Sequence, residues 1–258
     1  MSGTYGLQVG ILGAKYDLKT QYREVLDEVV AAGYGSVEYG IDDIVDPEGF
    51  RVALGERGLV CAGVHTTIWS LQDVPQLVRT LRSVGCLDVC NSGILNWDRP
   101  QVEDFRAGIA ILNESGKQLR DLGMYLHYHN HAFEFDFIDS GTKGIDAILD
   151  GINPSAVDLC VDVAWVQKGG EDPVAFLGRY SASVGYLHLK DYAGDAWKPL
   201  GQGVVNVGDI LTQSRYLPNL RQTVVEQDST TGNPVAEIAA SLQFLARVSN
   251  EMSERSGL

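Results

Sequence analysis

Residues 157–189 read VDLCVDVAWVQKGGEDPVAFLGRYSASVGYLHL. Two short apolar runs, 157–163 and 184–189, have the composition of buried strands, and the segment 173–180 between them reads as a helix. Neither strand shows a polar face. A helix joining two such strands makes a parallel βαβ unit, because parallel strands need a long crossover and are usually buried on both sides.

The same alternation runs outward to both ends. Strands are predicted at 7–12, 36–39, 59–66, 87–91 and 124–129, with helices at 20–32, 47–57, 74–84, 101–122 and 144–151. Beyond the opening stretch come a helix at 207–212, a strand at 222–227 and a last helix at 234–248. Within 20–32, Tyr22, Val25, Leu26, Val29 and Val30 recur at helical spacing. Gly33, Gly58, Gly85 and Gly123 each follow a predicted helix, where a glycine commonly ends one. Eight β–α pairs in 258 residues predict a single (β/α)8 TIM barrel as one domain over residues 1–258. A doubly wound open sheet is the alternative. It would call for GxGxxG after the first strand, and residues 10–13 supply only two glycines.

Composition narrows the function classes. The chain is 45% hydrophobic and carries 34 acidic against 20 basic residues, a net charge of −14. Nucleic-acid binders present a basic face, so no nucleic acid and no anionic membrane surface is expected as a partner. No apolar stretch reaches the ~20 residues of a membrane span. The first five residues show no basic stretch followed by an apolar run, so a cytoplasmic location is expected. Cys61, Cys86, Cys90 and Cys160 lie in or beside apolar segments without a CxxC pair. They are read as buried reduced thiols, and no zinc site is expected from them.

In a (β/α)8 barrel the functional groups stand at the C-terminal ends of the strands. Lys15, Glu38, His65 and Asn91 are the polar residues near the first four ends. The fifth strand runs into His127-Tyr128-His129-Asn130-His131 with Glu134 behind it, the sixth ends at Asp162, the seventh at His188 before Lys190 and Asp191, and the eighth at Glu226 before Asp228. Adjacent strands lie ~4.8 Å apart, so these carboxylates and imidazoles can meet around one divalent ion, Mn²⁺, Mg²⁺, Co²⁺ or Zn²⁺. A cation also removes the repulsion among the acids. Asp191 and Asp228 can equally serve loop amides, and Trp165, Phe133 and Phe135 can be simple packing.

At these residues the chain resembles the xylose-isomerase-like sugar phosphate isomerases and epimerases. Tyr128-His129-Asn130-His131-Ala132-Phe133-Glu134-Phe135 is similar to their YHNHxFEF signature, and residues 162–173, 188–191, 199–203 and 225–228 resemble their later segments. The resemblance implies a (β/α)8 barrel with a metal held by Glu134, Asp162, His188 and Glu226, Mn²⁺ foremost. Many relatives carry the first glutamate on the tip of the fifth strand, where this chain has imidazoles, so His129 or His131 is the alternative ligand. The implied chemistry is proton transfer through an enediolate of a keto-sugar or polyol, with Glu226 and Glu134 as catalytic groups. His65, His129 and Lys190 would hold substrate oxygens, and Trp165 would wall the sugar. The same first step serves a dehydratase or lyase acting on an inosose or a 3-keto-glycoside. A non-catalytic sugar-binding or partner subunit is the third reading. Trp97 and Trp197 can line the pocket rim, and relatives of this kind often form homo-oligomers.

Overall fold

The computed structural model describes residues 5–96 and 100–256, so Trp97 lies outside the described residues. Seven strands come first in chain order: β1 (Gly6–Gln8), β2 (Ser36–Gly40), β3 (Val60–Thr66), β4 (Asp88–Ser92), β5 (Tyr125–His129), β6 (Val157–Asp162) and β7 (Val184–Leu189). A hairpin, β8 (Asp191–Ala193) and β9 (Ala196–Lys198), follows, and then β10 (Gln222–Val225). Strands β1 to β7 and β10 close a parallel barrel, with β10 seated between β7 and β1. The chain is therefore a (β/α)8 barrel.

The helices that cover it are α1 (Tyr22–Ala32), α2 (Pro47–Glu56), α3 (Val74–Val84), α4 (Val102–Asp121), α5 (Gly144–Gly151), α6 (Val163–Lys168), α7 (Pro173–Arg179), α8 (Val207–Ser214) and α9 (Pro234–Ser256). Each lays an apolar stripe on the strands: Val25, Leu26 and Val29 from α1, Leu77, Leu81 and Val84 from α3, and Phe105, Leu112 and Leu119 from α4 are all buried. Burying each such side chain is worth about 1.5–3 kcal/mol. Gly33 and Gly85 end α1 and α3 in left-handed conformation, φ 98° and 77°, with their amides returned to the last helical turn. A side chain there would be strained.

Most boundaries differ from the sequence reading by two residues or fewer, and three of the differences matter here. Strand β1 stops at Gln8, because the Gln8 side chain accepts from the Gly10 amide at 2.7 Å and turns Val9–Ala14 into a 3-10 helix. Val9, Ile11 and Leu12 are buried in that turn, as they would be in a strand, and a short apolar run cannot separate the two by pattern. Strand β10 ends at Val225, so Glu226 stands just past it, with its amide still donating to the Leu189 carbonyl at 3.0 Å. The last helix runs on to Ser256. Helix α6 and the β8–β9 hairpin carry no signal in the hydrophobic pattern.

The floor of the barrel is closed by a buried ionic group. Asp88, at the start of β4, accepts from His127 Nε2 at 2.8 Å and from Arg221 Nε at 2.6 Å. The Arg221 guanidinium lies 3.4 Å over the Tyr125 ring. Burial would raise the Asp88 pKa, but the bonds from His127 and Arg221 win and hold it below the usual carboxylate range. A carboxyl lowered in the folded state stabilises fully above its unfolded pKa, about 3.9, and loses that contribution as pH falls through the folded value. The stability gap between the native chain and Asp88→Asn, read from urea unfolding, is therefore expected to hold at neutral pH and shrink below pH ~4. A gap that widens in acid would contradict this assignment.

Candidate active site and metal centre

Side chains alternate along a strand, so residues two apart share the barrel interior. His127 and His129 on β5, Cys160 and Asp162 on β6, and Tyr186 and His188 on β7 all fall inward by this rule. Register pairs Asp162 with His188, His188 with Val224, and His129 with Cys160. The upper inward layer is thereby made of His129, Asp162, His188 and, just past β10, Glu226. One ligand atom from each of these four lies within 4.8 Å of the others, and all four residues are buried.

The cluster has the marks of a cation site. His188 Nδ1 lies 2.8 Å from Glu226 Oε2, an ion-pair distance, although neither atom has a well-aligned hydrogen bond. Asp162 Oδ2 also makes no hydrogen bond. The three atoms face one small space; the Lys190 ammonium, 3.2 and 3.3 Å from the two carboxylate oxygens, offsets part of their desolvation cost, and a divalent ion would offset more. The donor set of two imidazoles and two carboxylates suits a first-row divalent ion.

Neighbouring residues fix these donors. Glu38, fully buried on β2, receives His188 Nε2 at 2.9 Å on one oxygen and His65 Nδ1 at 2.9 Å on the other. Burial would raise its pKa, but His188 and His65 outweigh it and hold Glu38 at about 2. With Nε2 given to Glu38, His188 Nδ1 is the nitrogen that faces the cluster, the arrangement by which second-layer carboxylates orient metal-bound histidines. Asp162 divides its carboxyl. Oδ1 accepts from the amides of Ala164 and Trp165 at 2.9 and 3.0 Å and so starts helix α6, while Oδ2 faces the cluster. Burial pushes the Asp162 pKa up, against the pull of Lys190.

Lys190 is 0% exposed. Its ammonium lies 3.2 Å from Asp162 and 3.3 Å from Glu226, and it is bonded to Asp228. It also sits 5.2 Å from the Trp165 ring and 4.6 Å from that of Trp197. Burial would lower its pKa, but Asp162, Glu226 and Asp228 raise it, so the group stays charged. Trp165 and Trp197 meet edge to face at 4.7 Å and form an aromatic wall beside the cluster. Lys168 reaches over Tyr192 and Trp197 behind that wall.

Of the residues singled out in the sequence, the structure brings His65, His129, Asp162, Trp165, His188, Lys190 and Glu226 to one end of the barrel. Glu134 does not join them. Its oxygens accept from Tyr128 Oη at 2.7 Å and from the His131 amide at 2.8 Å, and it is fully buried. Glu134 is also 3.9 Å from His131 Nδ1, and His131 packs on His129 and Trp165, so Glu134 stands behind the cluster rather than within it. Asn130 adds to this by bonding its side chain to the Asp162 amide at 3.0 Å, which turns the chain away before the 3-10 turn Phe133–Phe135. His129, the alternative to Glu134, stands among the donors.

Asp191 serves loop amides, receiving those of Tyr192, Gly201, Gly203 and Val205 at 2.8–3.0 Å. Asp228 instead pairs with Lys190. Glu38 was visible only as a polar residue near a strand end; its signal was a lone carboxylate between Val37 and Tyr39 in an apolar strand. The cysteines are free thiols, with Cys86, Cys90 and Cys160 buried as expected and Cys61 half-buried. Barrel closure brings Cys90 and Cys160 together beneath the cluster without any CxxC spacing.

The sequence profile of the xylose isomerase-like TIM barrel matches residues 26–247. The chain belongs to that family. This xylose isomerase-like barrel is 27% identical over 195 residues to an inosose dehydratase from Geobacillus kaustophilus, covering 67% of this chain and 62% of that protein. It is 32% identical over 87 residues to an inosose dehydratase from Clostridium beijerinckii, covering 33% and 27%. The chain thus spans less than two thirds of the length of these curated relatives. Among solved structures, a sugar phosphate isomerase/epimerase from Parabacteroides distasonis superposes with TM-score 0.79 at 19% identity, covering 95% of this chain and 94% of that one. At that identity the likeness speaks to the fold. No described helix is long and apolar enough to cross a membrane.

Proposed function

We propose that the barrel mouth holds one divalent ion, Mn²⁺ foremost, on His129, Asp162, His188 and Glu226, and that the chain is a dehydratase of an inosose-like cyclic keto-polyol. The observation that carries this reading is the convergence of His129, Asp162, His188 and Glu226 on one buried space, set beside a charged lysine and an aromatic wall. When bound, the ion supplies Lewis acidity at a substrate carbonyl oxygen.

In this reading Glu226 takes the proton from the carbon beside the carbonyl. Lys190 donates to the oxygen that gathers negative charge as the enediolate forms. Trp165 and Trp197 cover one side of the ring and exclude water. His65, partly open at the mouth, holds a hydroxyl. Epimerisation would need a second group to return the proton from the opposite face, and Glu134, implied for that part by the resemblance, stands behind His131, bonded to Tyr128 and the His131 amide, rather than in the cluster. Elimination needs one carboxylate: Glu226 accepts the proton and returns it to the departing hydroxyl, which leaves as water. The names of the curated relatives support the same outcome.

Incubation of the Mn²⁺-loaded protein with an inosose and with ketohexoses in D₂O tests this. Loss of water from the inosose is the expected result. Deuterium in recovered ketose without dehydration would make the chain an epimerase. No reaction, with no bound metal and no rise in Tm on adding Mn²⁺, would make it a binding subunit.

Glu38→Gln is expected to weaken Mn²⁺ binding about 10–100-fold by calorimetric titration, because the carboxylate that orients His188 is lost. Unchanged affinity would remove Glu38 from the site.

A further inference from the structure

Directly under the ion cluster lies a separate buried layer of Ala62, Cys90, Cys160, Tyr186 and Val224. Cys90 on β4 and Cys160 on β6 reach past β5, and their sulfurs lie 3.6 Å apart. His129 Nδ1 is 3.7 Å from the Cys160 sulfur. One donor atom from each of Cys90, Cys160, His129 and His188 lies within 4.8 Å of the other three. A tetrahedral ion with bonds of about 2.3 Å to sulfur and about 2.0–2.1 Å to imidazole nitrogen needs donor separations of roughly 3.3–3.8 Å. The sulfur–sulfur and sulfur–nitrogen separations already fall in that range.

We propose that Cys90, Cys160, His129 and His188 form a second cation position, one layer below the first and suited to a thiophilic ion such as Zn²⁺ or Cd²⁺. Donor chemistry separates the two positions. Two sulfurs with two imidazoles select soft ions, whereas two carboxylates with the same imidazoles accept harder ones. Binding breaks two S–H bonds, forms two metal–sulfur bonds and releases two protons to solvent, with no change of oxidation state. The product carries no net charge, since two thiolates balance the divalent ion, so a fully buried layer can hold it without a large desolvation cost. The ion replaces the hydrogen-bonded thiol contact between Cys90 and Cys160.

His129 and His188 belong to both donor sets. With His188 Nε2 given to Glu38, only its Nδ1 can serve either position, so filling the lower one withdraws that ligand from the upper one, and a thiophilic ion displaces Mn²⁺ rather than adding to it. This exclusion rests on the upper site proposed above; the existence of the lower position does not.

The test is titration of the metal-free protein with Cd²⁺, followed by the thiolate-to-cadmium absorption band. The band is expected to saturate at one equivalent in the native chain and in Cys61→Ala/Cys86→Ala, which removes the chain's other two thiols. It is expected to vanish in Cys90→Ser/Cys160→Ser. No band, or a band that survives in the double variant, overturns the proposal. Zinc-edge X-ray absorption on the native chain with one equivalent of Zn²⁺ decides the matter without a variant. Two sulfur neighbours at about 2.3 Å are expected, and a shell of oxygen and nitrogen alone overturns it. In the Mn²⁺-loaded protein, one equivalent of Cd²⁺ is expected to restore the free-Mn²⁺ electron paramagnetic resonance signal. Retention of Mn²⁺ with the sulfur band present overturns the exclusion and leaves the sulfur site standing.

Discussion

Glu226→Gln is expected to leave a folded barrel whose turnover is about 10²–10⁴-fold slower, the range over which a positioned base contributes. The substitution keeps the size of the side chain, so packing at the end of β10 is preserved. It removes the one group proposed to take the substrate proton, and it weakens a donor facing His188 Nδ1 at 2.8 Å. In the native chain Lys190 and His188 hold Glu226 well below the usual carboxylate range against the effect of burial, so the carboxylate is ionised and ready as an acceptor. Single-turnover assays at saturating Mn²⁺ separate the two losses. A defect cured by excess metal would be one of ligation, and a defect that persists would be one of proton transfer. Full activity would remove Glu226 from the mechanism.

The second large effect is expected at Lys190. Its ammonium is the positive charge set among Asp162, Glu226 and Asp228, and none of its surface reaches solvent. Lys190→Met keeps the aliphatic stem against Trp165 and Trp197 but leaves buried carboxylates facing one another. Removing one partner of a buried ion pair typically costs about 3–5 kcal/mol. In chelator-treated protein the urea midpoint is expected to fall accordingly, and saturating Mn²⁺ is expected to recover part of the loss by supplying the missing positive charge. A variant as stable as the native chain without metal would mean that the carboxylates are already protonated there.

The barrel was legible because its signals are local. Helical stripes such as Leu77, Leu81 and Val84 and stops such as Gly33 and Gly85 depend on near neighbours in the chain. The upper donors were legible for a related reason: Asp162, His188 and Glu226 each stand at a strand end, where this architecture points side chains into one mouth. Glu134 stands outside the four-residue cluster, five positions beyond His129. The turn between them is tied by a hydrogen bond that the Asp162 amide of another strand donates to Asn130 Oδ1, which no local pattern records. Glu38 and the Cys90–Cys160 pair were hidden by distance in sequence. Glu38 meets His188 from 150 positions away, and the two cysteines are 70 positions apart. Only closure of the ring makes them neighbours.

The divided carboxyl of Asp162 has a consequence for how the mouth can change. One oxygen holds the first amides of the short helix that carries Trp165, and the other faces the proposed ion. Charge balance and wall position thus hang on the same three atoms. A shift in the metal pulls on the indole, and a shift in the indole loosens the metal. Variants that reshape the pocket for a different ring would have to work from the hairpin side, through Trp197, where the two duties are not joined.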